Sequence, residues 1–494
     1  MPKCLNILFA SSEAVPFIKT GGLADVSGSL PKALSHLGLA VSVIIPAYRE
    51  VLASVVDAKV VSQFSVFGFG KIYYVKLIEA RVPIPSTSLT FWFIDIPELF
   101  DRPHGIYLAE DGKDWWDNGE RFAIFSKAVT EVAMNRVKLD WKADVVHSND
   151  WQTGVISVFL KLEKNCAKTV FTIHNMAYQG SFPYEVFKAM NLPEHWWHKD
   201  GLEFYGNFSM LKAGILFSDI VTTVSPTYAK EICTPRFAYG LEGVMRRCQL
   251  EGKLFGILNG IDQAHWNPQK DTLIPYRYSA SYRLMANKFK NKQALLSALG
   301  VGGGIVNLEA PLFGLVGRLI EQKGIDLILS VVPDLLTYSN ANFVFLGSGD
   351  HHFEHAIKLF AEHYPDRVLV RIGYAEKLAH MIEAGADLFL MPSRFEPCGL
   401  NQLYSLAYGT LPIVHHTGGL ADTVVNASTE NIARGTATGF VFYEPTAYAL
   451  KETMYYAISL FAQKERWKGI QRTAMAQNLS WENSAKAYLD LYCL

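Results

Sequence analysis

The chain has 494 residues, half of them apolar and 19% charged, and its formal net charge at pH 7 is −1. This length exceeds one ordinary core, with about three domain-sized units as the prior, and the composition excludes a disordered chain. Near-neutral charge excludes an overall field that would gather nucleic acid or an anionic membrane, and leaves only local basic sites for small anions.

In chain order, the first element is LNILFA at 5–10, an apolar run that reads as a buried strand. It leads into KTGGLADV at 19–26, after which Leu23, Val26, Leu30 and Leu34 recur at helical spacing. A glycine turn between a strand and a helix presents backbone N–H groups at a positive helix end, where a phosphate fits. Glycines that merely let the chain reverse are the plainer alternative. Strand-like runs follow at 41–46, 89–95, 143–147, 169–174 and 220–225, with helical segments between them. After GILNGID at 256–262 the rhythm breaks over the polar stretch 271–283, then resumes at 312–317, 342–347, 367–373, 387–392 and 411–416. The last of these runs into HTGGLADT at 416–423, which repeats the hexapeptide TGGLAD.

Apolar runs alternating with helices predict parallel sheets wound through βαβ crossovers. Two such series give an α/β fold of two Rossmann-like, doubly wound domains. In open sheets of this kind the ligand sits beyond the carboxyl ends of the strands. Each TGGLAD lies at such an end, so both turns are expected to face one deep inter-domain cleft. The expected boundaries are 1–258, 259–472 and a C-terminal helical segment, 473–494, returning to the first domain.

The chemistry gathers at the same ends. GLVGRLIEQKG places Arg318 and Lys323 just after a strand, where two cations can stabilise a diphosphate leaving group as its charge grows. Solvated charges pairing with Glu321 or Asp326 are the alternative. No D-x-D triplet occurs, so no ligand pair for a diphosphate-bridging metal is evident. In PSRFEPCGL, Pro397 biases Glu396 away from helix. Its carboxylate then sits on a turn, where it serves either a sugar or merely the start of the next helix. His174, His147 and Asp150 fall at strand ends of the first domain, as catalytic groups or as structural ones. Aromatic residues make up 13% of the chain, and Trp115, Trp116, Trp151, Trp196 and Trp197 suit either sugar faces or core packing. The scattered cysteines Cys4, Cys166, Cys233, Cys248, Cys398 and Cys493 form no C-x-x-C pair, which points to a reducing interior. With no apolar run of spanning length and no leader pattern, the expected location is the cytoplasm.

Taken together, K-T-G-G-L-A-D, G-R-L-x-x-x-K-G, F-E-P-C-G-L-x-Q-L-Y and T-G-G-L-x-D-T-V resemble the bacterial glycogen synthases and plant starch synthases over essentially the whole chain. The resemblance implies the GT-B architecture. It also implies glucose transfer from ADP-glucose to the non-reducing end of an α-1,4-glucan, with retention of configuration and without metal or pyridoxal phosphate. Position by position it assigns Lys19 to the donor phosphates, supported by Gly21 and Gly22, and puts Asp25 at the donor site. Arg318 and Lys323 match the cations on the diphosphate, and Glu396 the essential carboxylate near the glucosyl ring. Cys398, Gly399 and Leu400 match the lining of the sugar pocket, and His174 and Asn175 stand beside the glucose. Tyr374 matches the adenine-side aromatic, Asn259 a further donor contact, and Thr417, Gly418 and Gly419 a second phosphate turn.

Two positions depart from related patterns. Asn149 stands where the family often has the second histidine of His-Ala-His-Asp-Trp, although Asp150 stays in register. Tyr404 stands where many other retaining transferases carry the second glutamate of Glu-x7-Glu. A phosphorylase-like enzyme using pyridoxal phosphate, or a non-catalytic glucan- or nucleotide-binding protein, are the rival readings.

Overall fold

The computed structural model describes residues 5–84, 87–300 and 307–494; Cys4 lies outside them. The chain divides into two compact units. One runs up to Asn259 and adds Trp481–Leu494, and the other is Gly260–Ser480. The helix Lys464–Met475 crosses residue 473 and stays with the second unit.

The first unit is built on strands β1 (Asn6–Ala10), β2 (Ala40–Pro46), β3 (Lys59–Gly68), β4 (Lys71–Ile84), β5 (Thr87–Asp95), β6 (Val145–Asn149) and β7 (Lys168–Ile173). A small antiparallel sheet of β8 (Ser181–Phe182), β9 (Glu203–Phe204) and β10 (Asn207–Ser209) follows, before β11 (Ile220–Thr223) and β12 (Leu254–Gly256). The main sheet has the order β12-β11-β7-β6-β1-β2-β5-β4-β3. From β12 to β5 all neighbours are parallel, whereas β4 and β3 close the edge in antiparallel fashion. Strands covered on both faces read as near-continuous apolar runs: Ile7, Leu8, Phe9 and Ala10 of β1 have no exposed surface. β3 instead alternates exposed and part-buried positions, as a half-covered edge strand does.

The second unit holds β13 (Leu312–Val316), β14 (Asn342–Gly347), β15 (Val368–Ile372), β16 (Leu388–Met391), β17 (Leu411–His415) and β18 (Phe440–Phe442). All are parallel, in the order β15-β14-β13-β16-β17-β18. Counted within the unit this is 3-2-1-4-5-6, the doubly wound order whose ligand crevice opens between strands 1 and 4. The parallel strands of the first unit follow the same order, with β12 added at the far edge. The switch points are therefore β1/β6 in one unit and β13/β16 in the other.

The repeated hexapeptide does not occupy equivalent crossovers. One copy follows β1, the first strand of its series, and the other follows β17, the fifth of its own. In the first unit the counterpart of β17 is β7, which leads to His174; in the second the counterpart of β1 is β13, which leads to Arg318. A tandem duplication of one Rossmann unit does not put the phrase in these two places.

The C-terminal helix Trp481–Cys493 packs on the helix Gly22–His36 and sinks Trp481, Tyr488 and Tyr492 into the core of the first unit. His147 belongs to that core. It has no exposed surface, and its Nδ1 lies 2.7 Å from the Tyr492 hydroxyl while its Nε2 lies 2.6 Å from Thr172 Oγ1. Burial lowers its pKa to about 3, so it is a neutral internal strut. Most of the tryptophans are packing groups as well: Trp151 contacts Phe122 and Phe182, Trp196 contacts Phe217, and Trp197 contacts Tyr184 and Phe187. Trp116 alone of the five is largely exposed. Among the described cysteines all are free thiols, and no described helix is long and apolar enough to cross a membrane.

Candidate active site

In the first unit the loop after β1 turns back on a buried carboxylate. Glu13 is 3% exposed, and its Oε2 accepts the Thr20 N–H at 2.5 Å, the Thr20 hydroxyl at 2.7 Å and the Gly21 N–H at 3.2 Å. The amide of Gly21, expected to support a phosphate, is thus engaged by an internal anion. Lys19, Thr20, Gly21 and Gly22 are exposed at this turn, and Lys19 Nζ lies 2.8 Å from Asp25 Oδ1. A Cβ on Gly21 would meet nothing within 4 Å. Internal packing therefore does not require a glycine there, whereas close approach of a ligand would.

On the other side of the same switch point, β6 ends in Asn149, and Asp150 adopts φ 56° and ψ 179°. That conformation is otherwise nearly confined to glycine and costs about 1–3 kcal/mol. The strained turn lets the Asp150 carboxylate accept the backbone N–H of His174 at 2.7 Å and that of Asn175. Burial nonetheless pushes its pKa up to about 7, against these two hydrogen bonds. Asn149 donates its amide Nδ2 to the Ala10 carbonyl at 3.0 Å, so its Oδ1 is the acceptor facing His174 Nε2 at 2.9 Å. Nε2 therefore carries the ring proton and Nδ1 is left as an acceptor. Burial lowers the imidazole pKa to about 3, so this tautomer is neutral at physiological pH.

In the second unit the loops after β13 and β16 lock together. Gly324, at φ 70°, heads the helix Ile325–Tyr338, and a Cβ there would come 2.3 Å from the Pro392 carbonyl oxygen. This close approach brings Lys323 to the loop that carries Glu396. The Lys323 ammonium pairs with Glu396 Oε2, which also accepts the Ser393 hydroxyl at 3.0 Å. The Glu396 side chain is 9% exposed and that of Lys323 25%. A largely desolvated carboxylate thus has its charge balanced by a specific cation. Arg318 stands exposed on the same loop. Asp326 and Glu321 both pair with Arg394, on the loop that carries Glu396.

The second glycine turn lies behind Glu396. Gly419 N–H donates to the carbonyls of Glu396 and Pro397, each at 3.1 Å. Gly418 sits at φ 44°, and a Cβ on it would come 2.0 Å from the Glu396 carbonyl oxygen; one on Gly419 would come 2.2 Å from that of Cys398. Both glycines are needed for this contact.

The starch synthase catalytic domain family matches residues 6–247, and glycosyl transferases group 1 matches 304–473. A glycogen synthase from Hydrogenovibrio crunogenus is 55% identical over 489 residues, covering 99% of each chain. The chain belongs to the glycogen synthase family. A glycogen synthase from Cellvibrio japonicus is 48% identical, covering 99% of this chain and 98% of its own. The catalytic domain of starch synthase IV from Arabidopsis thaliana, solved with ADP and acarbose, superposes with a TM-score of 0.87 at 31% identity, covering 99% of each chain. Sucrose-phosphate synthase from Thermosynechococcus elongatus shares the fold, with a TM-score of 0.60 at 18% identity.

The protein is thus a glycosyltransferase, and its two Rossmann-like units are those of the GT-B architecture. Within the glycogen synthase family frame, the first unit gathers Lys19, Gly21, Gly22, Asp25, Asp150, His174 and Asn175 at its switch point. Asn259, part-buried, is the last residue before the second unit. The second unit places Arg318 and Lys323 after β13 and pairs Lys323 with Glu396, which Cys398, Gly399 and Leu400 follow on the same loop, with Thr417, Gly418 and Gly419 packed behind. Tyr374 stands after β15, 74% exposed. Tyr404, by contrast, is core: its ring stacks on Trp266 at 3.8 Å. Sequence reasoning missed Glu13, Ser393 and Arg394. Glu13, in SSEAVPF, carried one usable signal, an acid between a buried strand and a glycine turn.

Proposed function

We propose that the protein transfers glucose from ADP-α-glucose to the non-reducing end of an α-1,4-glucan such as glycogen, retaining configuration and using no metal in the transfer step. The observation that carries this reading is the Lys323–Glu396 pair, with Arg318 exposed on the loop that leads to Lys323. It puts cations and a desolvated carboxylate at the switch point, where a doubly wound sheet binds its ligand. The ADP in the starch synthase IV catalytic domain supports an adenine nucleotide as the donor carrier.

In this mechanism the acceptor hydroxyl attacks the anomeric carbon on the face from which the diphosphate leaves. The bond from the anomeric carbon to the phosphate oxygen breaks, the new glycosidic bond forms, and the departing phosphate oxygen takes the hydroxyl proton. Lys19, Arg318 and Lys323 stabilise the charge growing on the diphosphate. Glu396 stabilises positive charge near the glucosyl ring. A double displacement would need a free carboxylate nucleophile, and the engagement of Glu396 by Lys323 and Ser393 favours a non-covalent role.

Neutral His174 offers Nδ1 as acceptor to a glucose hydroxyl, with Asp150 and Asn175 fixing its loop. Cys398, Gly399 and Leu400 line the sugar pocket. Tyr374 takes the adenine, while Asn259, Asp25, Gly21 and Gly22 add donor contacts. Thr417, Gly418 and Gly419 hold the Glu396 loop from behind.

The test is a transfer assay with ADP-glucose and UDP-glucose side by side, glycogen as acceptor, with and without chelator. The expected result is glucan extension from ADP-glucose that persists in chelator. No extension from either donor would overturn the assignment, a preference for UDP-glucose would overturn the donor, and loss on chelation from a protein that stays folded would overturn the metal-free step.

A further inference from the structure

A second cluster of potential ligands lies in the second unit, outside the residues assigned to transfer. Trp266 stacks between His380 and Tyr404, at 3.8 Å from each ring. This stack holds the His380 imidazole, which has no exposed surface. Its Nδ1 lies 2.8 Å from Asp271 Oδ2, an oxygen that also accepts the Tyr408 hydroxyl at 2.6 Å. The proton on Nδ1 is thereby fixed, and Nε2 is left with its lone pair. Nε2 is buried and has no hydrogen-bond partner among the described residues. A buried polar atom without a partner calls for an explanation.

The neighbours of His380 supply one. His265 Nε2 and Glu376 Oε1 are 3.1 Å apart, and one ligand atom from each of His265, Glu376 and His380 lies within 4.8 Å of the others. Metal–ligand bonds of about 2.0–2.2 Å place tetrahedral donor atoms about 3.4 Å apart. The side chains of His265 and Glu376 are about half exposed, at 47% and 53%, so they can make that adjustment while His380 stays fixed. We propose that His265, Glu376 and His380 bind a divalent transition-metal ion, with Zn2+ the best match to two imidazoles and one carboxylate, and with Asp271 as the outer partner that orients His380. The ion ties the turn around Trp266 to the start of the helix Glu376–Gly385 and has no part in the transfer step.

The experiment uses the full-length protein, stripped with chelator, dialysed and titrated with ZnCl2 in a calorimeter, without donor or glucan, so that its result is independent of the transfer reading. Co2+ in place of Zn2+ reports the ligand field by visible absorption. The exposed pair His351 and His355, four residues apart on the helix His351–His363, serves as the control for adventitious surface binding. The expected result is one Zn2+ per chain, with affinity lowered more than about tenfold in His265→Ala and in Glu376→Gln, and unchanged in His355→Ala. Zn2+ should also raise the unfolding midpoint of the wild type and not that of His265→Ala. Absence of stoichiometric binding, equal affinity in wild type and His265→Ala, or loss confined to His355→Ala would each overturn the proposal.

Discussion

The hexapeptide Thr-Gly-Gly-Leu-Ala-Asp occurs at Thr20–Asp25 and again at Thr417–Asp422, and the two copies live in different surroundings. In the first, Gly21 is exposed with open space where a Cβ would go, and the turn is braced from within by Glu13. In the second, Gly418 and Gly419 are buried against the carbonyls of Glu396 and Cys398. One turn is shaped to be approached from outside, the other to hold a carboxylate in place. The same six residues suit both tasks because each needs a strand to give way to a helix without side-chain bulk, and the neighbouring loop decides which contact that opening serves.

Substitutions can break or sharpen this contrast. The largest effect is expected at the carboxylate that the second copy supports: Lys323→Ala should lower transfer turnover by about a hundredfold or more, as loss of a transition-state electrostatic contact does. Turnover near the wild-type value would remove Lys323 from the chemistry. Next comes a paired comparison of the glycines. Gly418→Ala, with its positive φ and a Cβ 2.0 Å from a carbonyl oxygen, should cost at least about 2 kcal/mol in denaturant unfolding. Gly21→Ala should cost less than about 1 kcal/mol, and its damage should fall on the KM for the donor. Equal losses of stability at the two sites would erase the distinction.

Glu13→Gln should loosen the first turn by about 1–2 kcal/mol, since a charged acceptor of several hydrogen bonds becomes a neutral one. A further effect concerns pH. The Asp150 carboxyl, with its pKa pushed up to about 7, keeps its proton to a higher pH in the folded protein than in the unfolded chain. Its contribution to stability is present below about pH 4 and is lost as pH rises to 7. His147 and His174, lowered to about 3, act with the opposite sign, and their cost appears as pH falls below about 6.5. The gap in unfolding midpoint between Asp150→Asn and wild type isolates the carboxyl, and it should move in favour of the variant between pH 4 and 7. A constant gap would contradict the raised pKa of the part-buried Asp150.

How far the fold could be read in the sequence follows from what each element shows locally. Doubly covered strands such as Leu312–Val316 announce themselves as short apolar runs, and the polar stretch after Ile261 marks where one series stops. Strand order is not local. Nothing in ADVVH says that it pairs beside LNILFA, and this pairing defines the switch point of the first unit. The Lys59–Ile84 hairpin escaped because only one of its faces is covered. At the site, Arg318, Lys323 and Glu396 were legible as charged residues at strand ends. Their partnership was not, because Lys323 and Glu396 are 73 residues apart and meet only when Gly324 touches Pro392. His147 misled for the converse reason: a histidine near a strand end looks available until Tyr492, far along the chain, is seen to cap it.

The most direct test of the account is a double-mutant cycle on turnover with ADP-glucose and glycogen, comparing Lys323→Ala, Glu396→Gln and the double variant. If the two side chains act as one unit, the double variant will be about as slow as the slower single variant. Losses that multiply would show that they work independently, and would contradict the pairing on which the proposed mechanism rests.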